Sequence, residues 1–205
     1  MVEQAKHRPG GRTAAVRAAV LRATENLLID AGLGGIELPT VAVRAGVGTS
    51  TVYRRWGSVP ALVTDMLHDM AERSVPRADT GSLRGDLRAN AALVRRTLSA
   101  PREGRLFRAV IAAAASDEAT ARALAVFYDR RVAEWAECIH DAVVRGEAPE
   151  RTDAEAVIRQ VSAPLYYQFL TTTAPLTSRD ATRAADAALA AVAAGVYSPA
   201  RRRRS

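Results

Sequence analysis

Val16, Ala19, Val20, Ala23 and Leu27 fall three or four residues apart, the spacing that gathers side chains on one face of a helix. This pattern predicts a first helix from about Thr13 to Ala31. Gly32, Gly34 and Gly35 follow, and glycine readily takes the left-handed conformation that ends a helix. The three glycines do not read as a nucleotide loop, because no strand pattern precedes them and a helix follows only after Glu37. Two short helices are expected over about 39–45 and 49–55, split by Gly46-Val47-Gly48, and a fourth from about Ser58 to Arg73. Val75 to Ser82, with Pro76 and Gly81, reads as a linker. Helical patterns then recur near 83–99, 103–115, 117–146, 153–172 and 178–196, each beginning beside Ser, Thr, Asp or Pro. No strand alternation and no internal repeat emerges. The chain is expected to be all-α, with about nine helices.

Composition agrees with that pattern. Apolar residues make up 48% of the 205-residue chain but aromatics only 5%, and alanine fills much of the difference. Such a mixture suits closely packed helices better than sheets. The net charge of +7 is unevenly placed. Residues 1–60 carry eight Lys/Arg against four Asp/Glu, residues 61–200 carry 17 against 18, and Arg201 to Arg204 add four more cations. A basic N-terminal segment is what a phosphate-binding module needs. Residues 1–11 read as a loose basic arm, and 201–205 as a basic tail that is either a second phosphate contact or a solvated end. Cys138 is the only cysteine, which excludes an intramolecular disulfide and a cysteine-based zinc site. With neither a membrane-length apolar run nor a signal-like N-terminus, the expected location is the cytoplasm.

The stretch from Leu38 to Trp56, LPTVAVRAGVGTSTVYRRW, carries the chemistry. Val41, Ala45, Val47 and Val52 supply apolar anchors for two helices, Ala42 is small where they would cross, and Gly46 permits the turn between them. The second helix then presents Thr49, Ser50, Tyr53 and Arg54 outward. Short hydroxyls, one amphipathic ring and one guanidinium suit a major groove and its phosphates. Two ordinary core helices would leave the same residues as solvated surface.

This stretch resembles the tetracycline-repressor-like (TetR) regulators from about Thr13 through Leu62, most specifically in AVRAGVGTSTVYRRWGSVPAL. The family's Ala-x-x-Ala-Gly-Val turn stands here as Ala42–Val47, and its Tyr-x-x-Phe/Trp recognition-helix ending as Tyr53–Trp56. The resemblance implies a DNA contact at Tyr53 and an inward-packed Trp56. Two positions depart from it: Val59 replaces the usual phosphate-binding lysine, and Glu37 replaces the usual Thr cap, with Pro39 opening the helix, where proline is comfortable. The resulting set of candidate DNA-binding residues is Thr40, Arg44, Thr49, Ser50, Thr51, Tyr53, Arg54 and Arg55. Residues 1–57 are expected to form a helix-turn-helix DNA-binding domain of three helices, and 58–200 a ligand-binding and dimerisation domain.

Gly81–Asn90 and Ser162–Thr177 look like the C-terminal half of one subgroup of that family, which often has Gly and Arg where Ala163 and Gln168 stand. Pro164 falls inside a helix and should kink it, either opening a cavity or merely bending a buried helix. Leu124, Tyr128, Val132, Trp135 and Ile139 form an apolar stripe of the kind that is ordinarily core. In the family that core encloses the effector pocket, so Phe107, Ile111, Phe127, Tyr128, Trp135, Tyr166 and Phe169 are the candidate lining, implying a small, largely apolar effector. The last two helices should form the dimer interface as a four-helix bundle. The implied function is a homodimeric repressor, released by its effector from an inverted-repeat operator in double-stranded DNA.

A helical enzyme or an inert helical scaffold is the rival. His68 and Glu72, with Asp65 and Asp69 nearby, have a spacing that could hold a metal, but read better as the solvated face of the fourth helix. Cys138 and His140, two apart on a helix, point in different directions. No catalytic residues, metal or cofactor are expected, since no Ser-His-Asp order, Walker loop or paired-carboxylate signature is present.

Overall fold

The computed structural model describes residues 9–198, with side chains from Arg12 on. Nine α-helices and one 3-10 turn occupy these residues, and no strand occurs among them. The helices are α1 (Pro9–Ala31), α2 (Leu38–Ala45), α3 (Thr49–Trp56), α4 (Val59–Glu72) and α5 (Leu83–Ser99), then α6 (Pro101–Ala114), α7 (Glu118–Val144), α8 (Ala154–Thr171) and α9 (Ser178–Ala193). The expected all-α class holds. The chain divides into two compact units: residues up to Arg73 together with Arg108–Phe127, and Ser74–Phe107 together with the residues from Tyr128 on.

In the first unit α1 packs on α2 and α4, α2 on α3, and α3 on α4. Val20, Leu21, Leu28, Val41, Val52, Leu62 and Met66 are fully buried there. Side chains of this size each contribute about 1.5–3 kcal/mol on burial. Gly32 (φ 68°) ends α1 with its amide bonded to the Leu28 carbonyl, and Gly46 (φ 67°) closes α2 the same way on Ala42 and Val43. Glu37 precedes α2 in an extended conformation and makes no side-chain cap, with Pro39 in the first turn.

Two details correct the expectations. α1 begins at Pro9, so residues 9–11 are helical rather than part of a loose arm. Proline's fixed φ suits a first helical position, where its missing N–H goes unneeded. The rest of the arm and Arg201–Arg204 lie outside the described residues. Leu33–Gly35, expected only to end α1, forms a short 3-10 turn.

In the second unit α5 packs against α8 and α9, and α8 against α9. Ala181, Ala184, Ala185 and Ala188 are all buried along one face of α9, letting its backbone approach its neighbours closely. Caps fix the helix starts: Ser82 accepts from the Gly85 amide at 3.2 Å, and Thr177 and Asp180 form a reciprocal capping box. α8 runs unbroken through Pro164, which is exposed. The segment from Val75 to Ser82 is non-helical but firmly held: the Arg77 amide donates to Glu134 at 3.1 Å, its guanidinium to Asp141 at 2.7 Å, and Arg131 to the Val75 carbonyl at 2.9 Å.

Candidate nucleic-acid interface

α2 and α3 meet through a tight turn in which the Val47 amide returns to the Ala42 carbonyl at 3.0 Å. Val41, Ala42 and Val52 seal the contact from within, each fully buried. The opposite side of α3 is polar and exposed, carrying Thr49, Ser50, Tyr53, Arg54 and Arg55, with Thr51 half-buried. Tyr53 is 50% exposed, unusual for so large a ring, while Trp56 one turn on is only 8% exposed. The inward and outward faces therefore separate as the sequence led us to expect.

The basic residues differ in their surroundings. Arg44, near the end of α2, is exposed and paired with Asp30 of α1 at 2.9 Å. Arg55 lies over the Trp56 ring, 5.1 Å from its centroid, and reaches the Thr13 carbonyl at 3.5 Å. Arg54 makes no hydrogen bond or ion pair with any described residue. Thr40 is exposed on α2.

Behind α3 lies a chain of charges that sequence reasoning missed. The Trp56 indole donates to Asp65 Oδ2 at 2.9 Å. Arg17 of α1 grips the same carboxylate through Nε and Nη2, the latter at 2.7 Å, and sends Nη1 to Asp69, also at 2.7 Å. Asp69 in turn accepts from Arg73 Nε at 2.6 Å, and Arg73 Nη2 reaches the buried Glu25 at 2.8 Å. Burial pushes the Asp65 carboxyl up, but Arg17 and the indole together outweigh it and hold the group below its ordinary range. Asp65 and Asp69 are thus half-buried ion-pair partners, correcting the reading of that cluster as a solvated face. His68 and Glu72 do lie exposed, 3.2 Å apart. Among the described residues no three His, Cys, Asp or Glu side chains gather as they would around a metal ion.

The candidate effector residues divide between the units. In the second unit Tyr166 receives Phe107 and Tyr128 edge-on, with ring centroids 6.4 Å and 5.6 Å away. Trp135 (3% exposed) and Phe169 (7%) are buried in the same unit, Phe169 near Gly104 of α6, where an added Cβ would stand 2.5 Å from the Leu98 carbonyl oxygen. Ile111 and Phe127 belong to the first unit, half-buried and buried. Burial pushes the Tyr166 hydroxyl up to about 12, and the Tyr128 hydroxyl higher still, so both are neutral donors at physiological pH. Arg131, whose charge acts on Tyr166, has no sequence signal that would have placed it here.

Comparison with known proteins follows the same outline. A model of the tetracyclin repressor-like C-terminal domain matches residues 77–188. The HTH-type transcriptional regulator AqdR of Rhodococcus erythropolis is 32% identical over 156 residues, which span 76% of this chain and 75% of AqdR. The crystal structure of the TetR family transcription regulator SCO0332 superposes with a TM-score of 0.68 at 28% identity, covering 86% of this chain and 98% of that one. The flavonoid-responsive regulator FrrA shares the fold, with a TM-score of 0.67 at 19% identity over 91% of this chain and 98% of its own.

Proposed function

The chain belongs to the TetR family of helix-turn-helix transcriptional regulators, and from that premise we propose that it is a homodimeric repressor released from an inverted-repeat operator by a small, largely apolar effector. The family is one of DNA-binding regulators, not enzymes. The observation that carries the proposal is the outward row of Thr49, Ser50, Tyr53 and Arg54 over a sealed Val52 and Trp56. α3 is then the recognition helix, with Tyr53 and Arg54 its principal contacts, Thr49, Ser50 and Thr51 completing the groove face, and Thr40, Arg44 and Arg55 meeting phosphates at its margin.

Dimerisation through α8 and α9 is supported by what those helices leave uncovered. Tyr167 is 71% and Leu170 43% exposed on α8, and Val196 just past α9 is 66% exposed. Apolar surface of this kind is costly in water and is covered in a four-helix bundle. For the effector, the Phe107–Tyr128–Tyr166 cluster supplies apolar contact and phenolic donors in one place. FrrA, which shares the fold, is a flavonoid-responsive regulator, and its response to a small molecule supports effector control here. An effector that favours the DNA-incompetent state is, by linkage, bound less tightly in the presence of operator.

Selection of bound duplexes from a randomised pool, followed by footprinting, tests the proposal. The expected product is an inverted repeat with half-sites about one helical turn, ~34–36 Å, or a multiple of it apart. Single unpaired half-sites at saturation would overturn the dimeric reading.

A further inference from the structure

Asp65 contacts no groove-facing residue directly, yet it sits at the back of the helix that does. We infer that Asp65 is a positioning residue for α3: by holding the Trp56 indole it fixes the end of that helix, and with it the angle at which Tyr53 and Arg54 meet DNA. The inference rests on the reading of α3 as the recognition helix.

α3 has eight residues, little more than two turns, and a helix so short has no stable orientation of its own. Its start is tied to α2 by the Gly46 turn and by the Thr51 amide bonding back to Gly48 at 2.9 Å. At its other end Gly57 turns the chain away at φ 71°, and among the described residues no backbone capping bond closes the helix there. Two side chains tether that end: Arg55 reaches the Thr13 carbonyl at 3.5 Å, the limit of a hydrogen bond, and the Trp56 N–H meets Asp65 on α4 at 2.9 Å.

The Trp56 tether is itself immobilised. Arg17 approaches Asp65 with Nε and Nη2 in a two-pronged grip that fixes the carboxylate plane, and its remaining Nη1 anchors to Asp69. Arg73 holds the second oxygen of Asp69 and reaches Glu25, whose side chain is 4% exposed. The chain thus runs from Trp56 into the buried part of α1. Charge balance alone would be met by any pairing of these arginines and carboxylates. It does not require an indole donor on one of them, and that bond is what joins the network to α3.

Trp56→Phe keeps most of the ring and removes the donor. With the best duplex selected by the wild-type protein, this variant is expected to bind about tenfold more weakly. Its affinity for random-sequence duplex and its salt dependence should stay unchanged, since an aromatic ring remains for Arg55 to lie over and no phosphate contact is lost. Asp65→Ala, which also frees Arg17, should lose at least as much, and the double variant no more than Asp65→Ala alone. Asp65→Asn retains an acceptor for the indole but gives up the two-oxygen grip of Arg17, so it should recover only part of the affinity, as should Arg17→Lys, which keeps the charge without the fork. Circular dichroism at the assay temperature identifies any variant that fails to fold, and Trp56→Phe then decides the matter. Wild-type discrimination by Trp56→Phe, in an assay where Arg54→Ala is impaired, overturns the positioning role and leaves α3 as the reader. Equal losses on selected and random duplex overturn it as well. Unchanged binding by Arg54→Ala and Tyr53→Phe removes the recognition-helix reading, and this inference with it.

Discussion

The buried carboxylates behind α3 and the buried polar groups along α5 are met differently. Behind α3 the carboxylates of Asp65, Asp69 and Glu25 are each met by a guanidinium, and the indole of Trp56 completes the chain. In the second unit Asp86 is fully buried, with one oxygen accepting from Thr80 twice at 2.8 Å and the other left 3.8 Å from Arg145, beyond hydrogen-bond reach. The carboxamide oxygen of Asn90, one turn along α5, is likewise buried without a hydrogen-bond partner among the described residues. A fully satisfied network holds one arrangement, while a partly satisfied one leaves neighbouring arrangements close in energy. The first pattern suits a unit that presents a fixed face to DNA. The second suits a unit able to repack, as the effector binding proposed above requires.

The largest test of that contrast is the cost of emptying each core. Trp135→Ala in the second unit should destabilise by about 3–5 kcal/mol, because the ring is only 3% exposed. Met66→Ala in the first should cost about 2–5 kcal/mol. The cost of a cavity depends on how far its walls collapse. A repackable second unit should therefore lose less per volume removed, as measured by denaturant titration of both variants. Equal cost per volume would break the contrast. Trp135→Ala is then a stability variant first, and Trp135→Phe the better probe of effector response.

Next in size is the reading face. Arg54→Ala should weaken specific binding by about 1–3 kcal/mol and relax one operator position if it contacts a base, or weaken all sequences alike if it contacts phosphate. Tyr53→Phe removes one hydroxyl and should act in the same direction by less. Both should leave stability within about 0.5 kcal/mol, since neither side chain is buried. Gel-shift titration on selected and random duplexes, with melting curves alongside, separates these outcomes.

The parts of this molecule that were legible in the sequence are those decided within a few residues. Gly32 and Gly46 stop their helices because each takes a positive φ, and Ser82 and Thr177 start theirs by accepting amide bonds three residues ahead. The inward turn of Val52 follows from a period of 3.6, and that of Trp56 is what the family resemblance implied. The ion-pair chain was not legible for the same physical reason. Asp65 and Asp69 stand a turn apart on α4, but Arg17 lies 48 residues from Asp65, and no local pattern distinguishes a paired carboxylate from a solvated one. Of the aromatic set, Phe107, Tyr128 and Tyr166 come together, although 21 and 38 residues separate them in turn and no local spacing joins them. The start of α1 was missed because Pro9 and its glycines look like loop until proline's place in a first turn is considered.

The smallest expected effect sharpens what a fixed reading face means. Arg44 is a candidate phosphate contact already in an ion pair, with Asp30 at 2.9 Å, the two side chains being 46% and 51% exposed. A pair so open to water is worth at most about 1 kcal/mol, so DNA phosphate can compete with Asp30 for the guanidinium. Asp30→Asn should therefore leave the melting curve nearly unchanged and raise affinity for any duplex modestly at low salt. If the released Arg44 takes up a phosphate, the plot of log affinity against log salt should steepen by about 0.9. Removing a carboxylate near DNA would also help binding without Arg44, so the substitution needs repeating in an Arg44→Ala background. A gain that disappears there belongs to Arg44, and the face is then fixed in shape but held in check by one exposed counter-charge. A gain that persists belongs to Asp30 alone, and Arg44 is no phosphate contact.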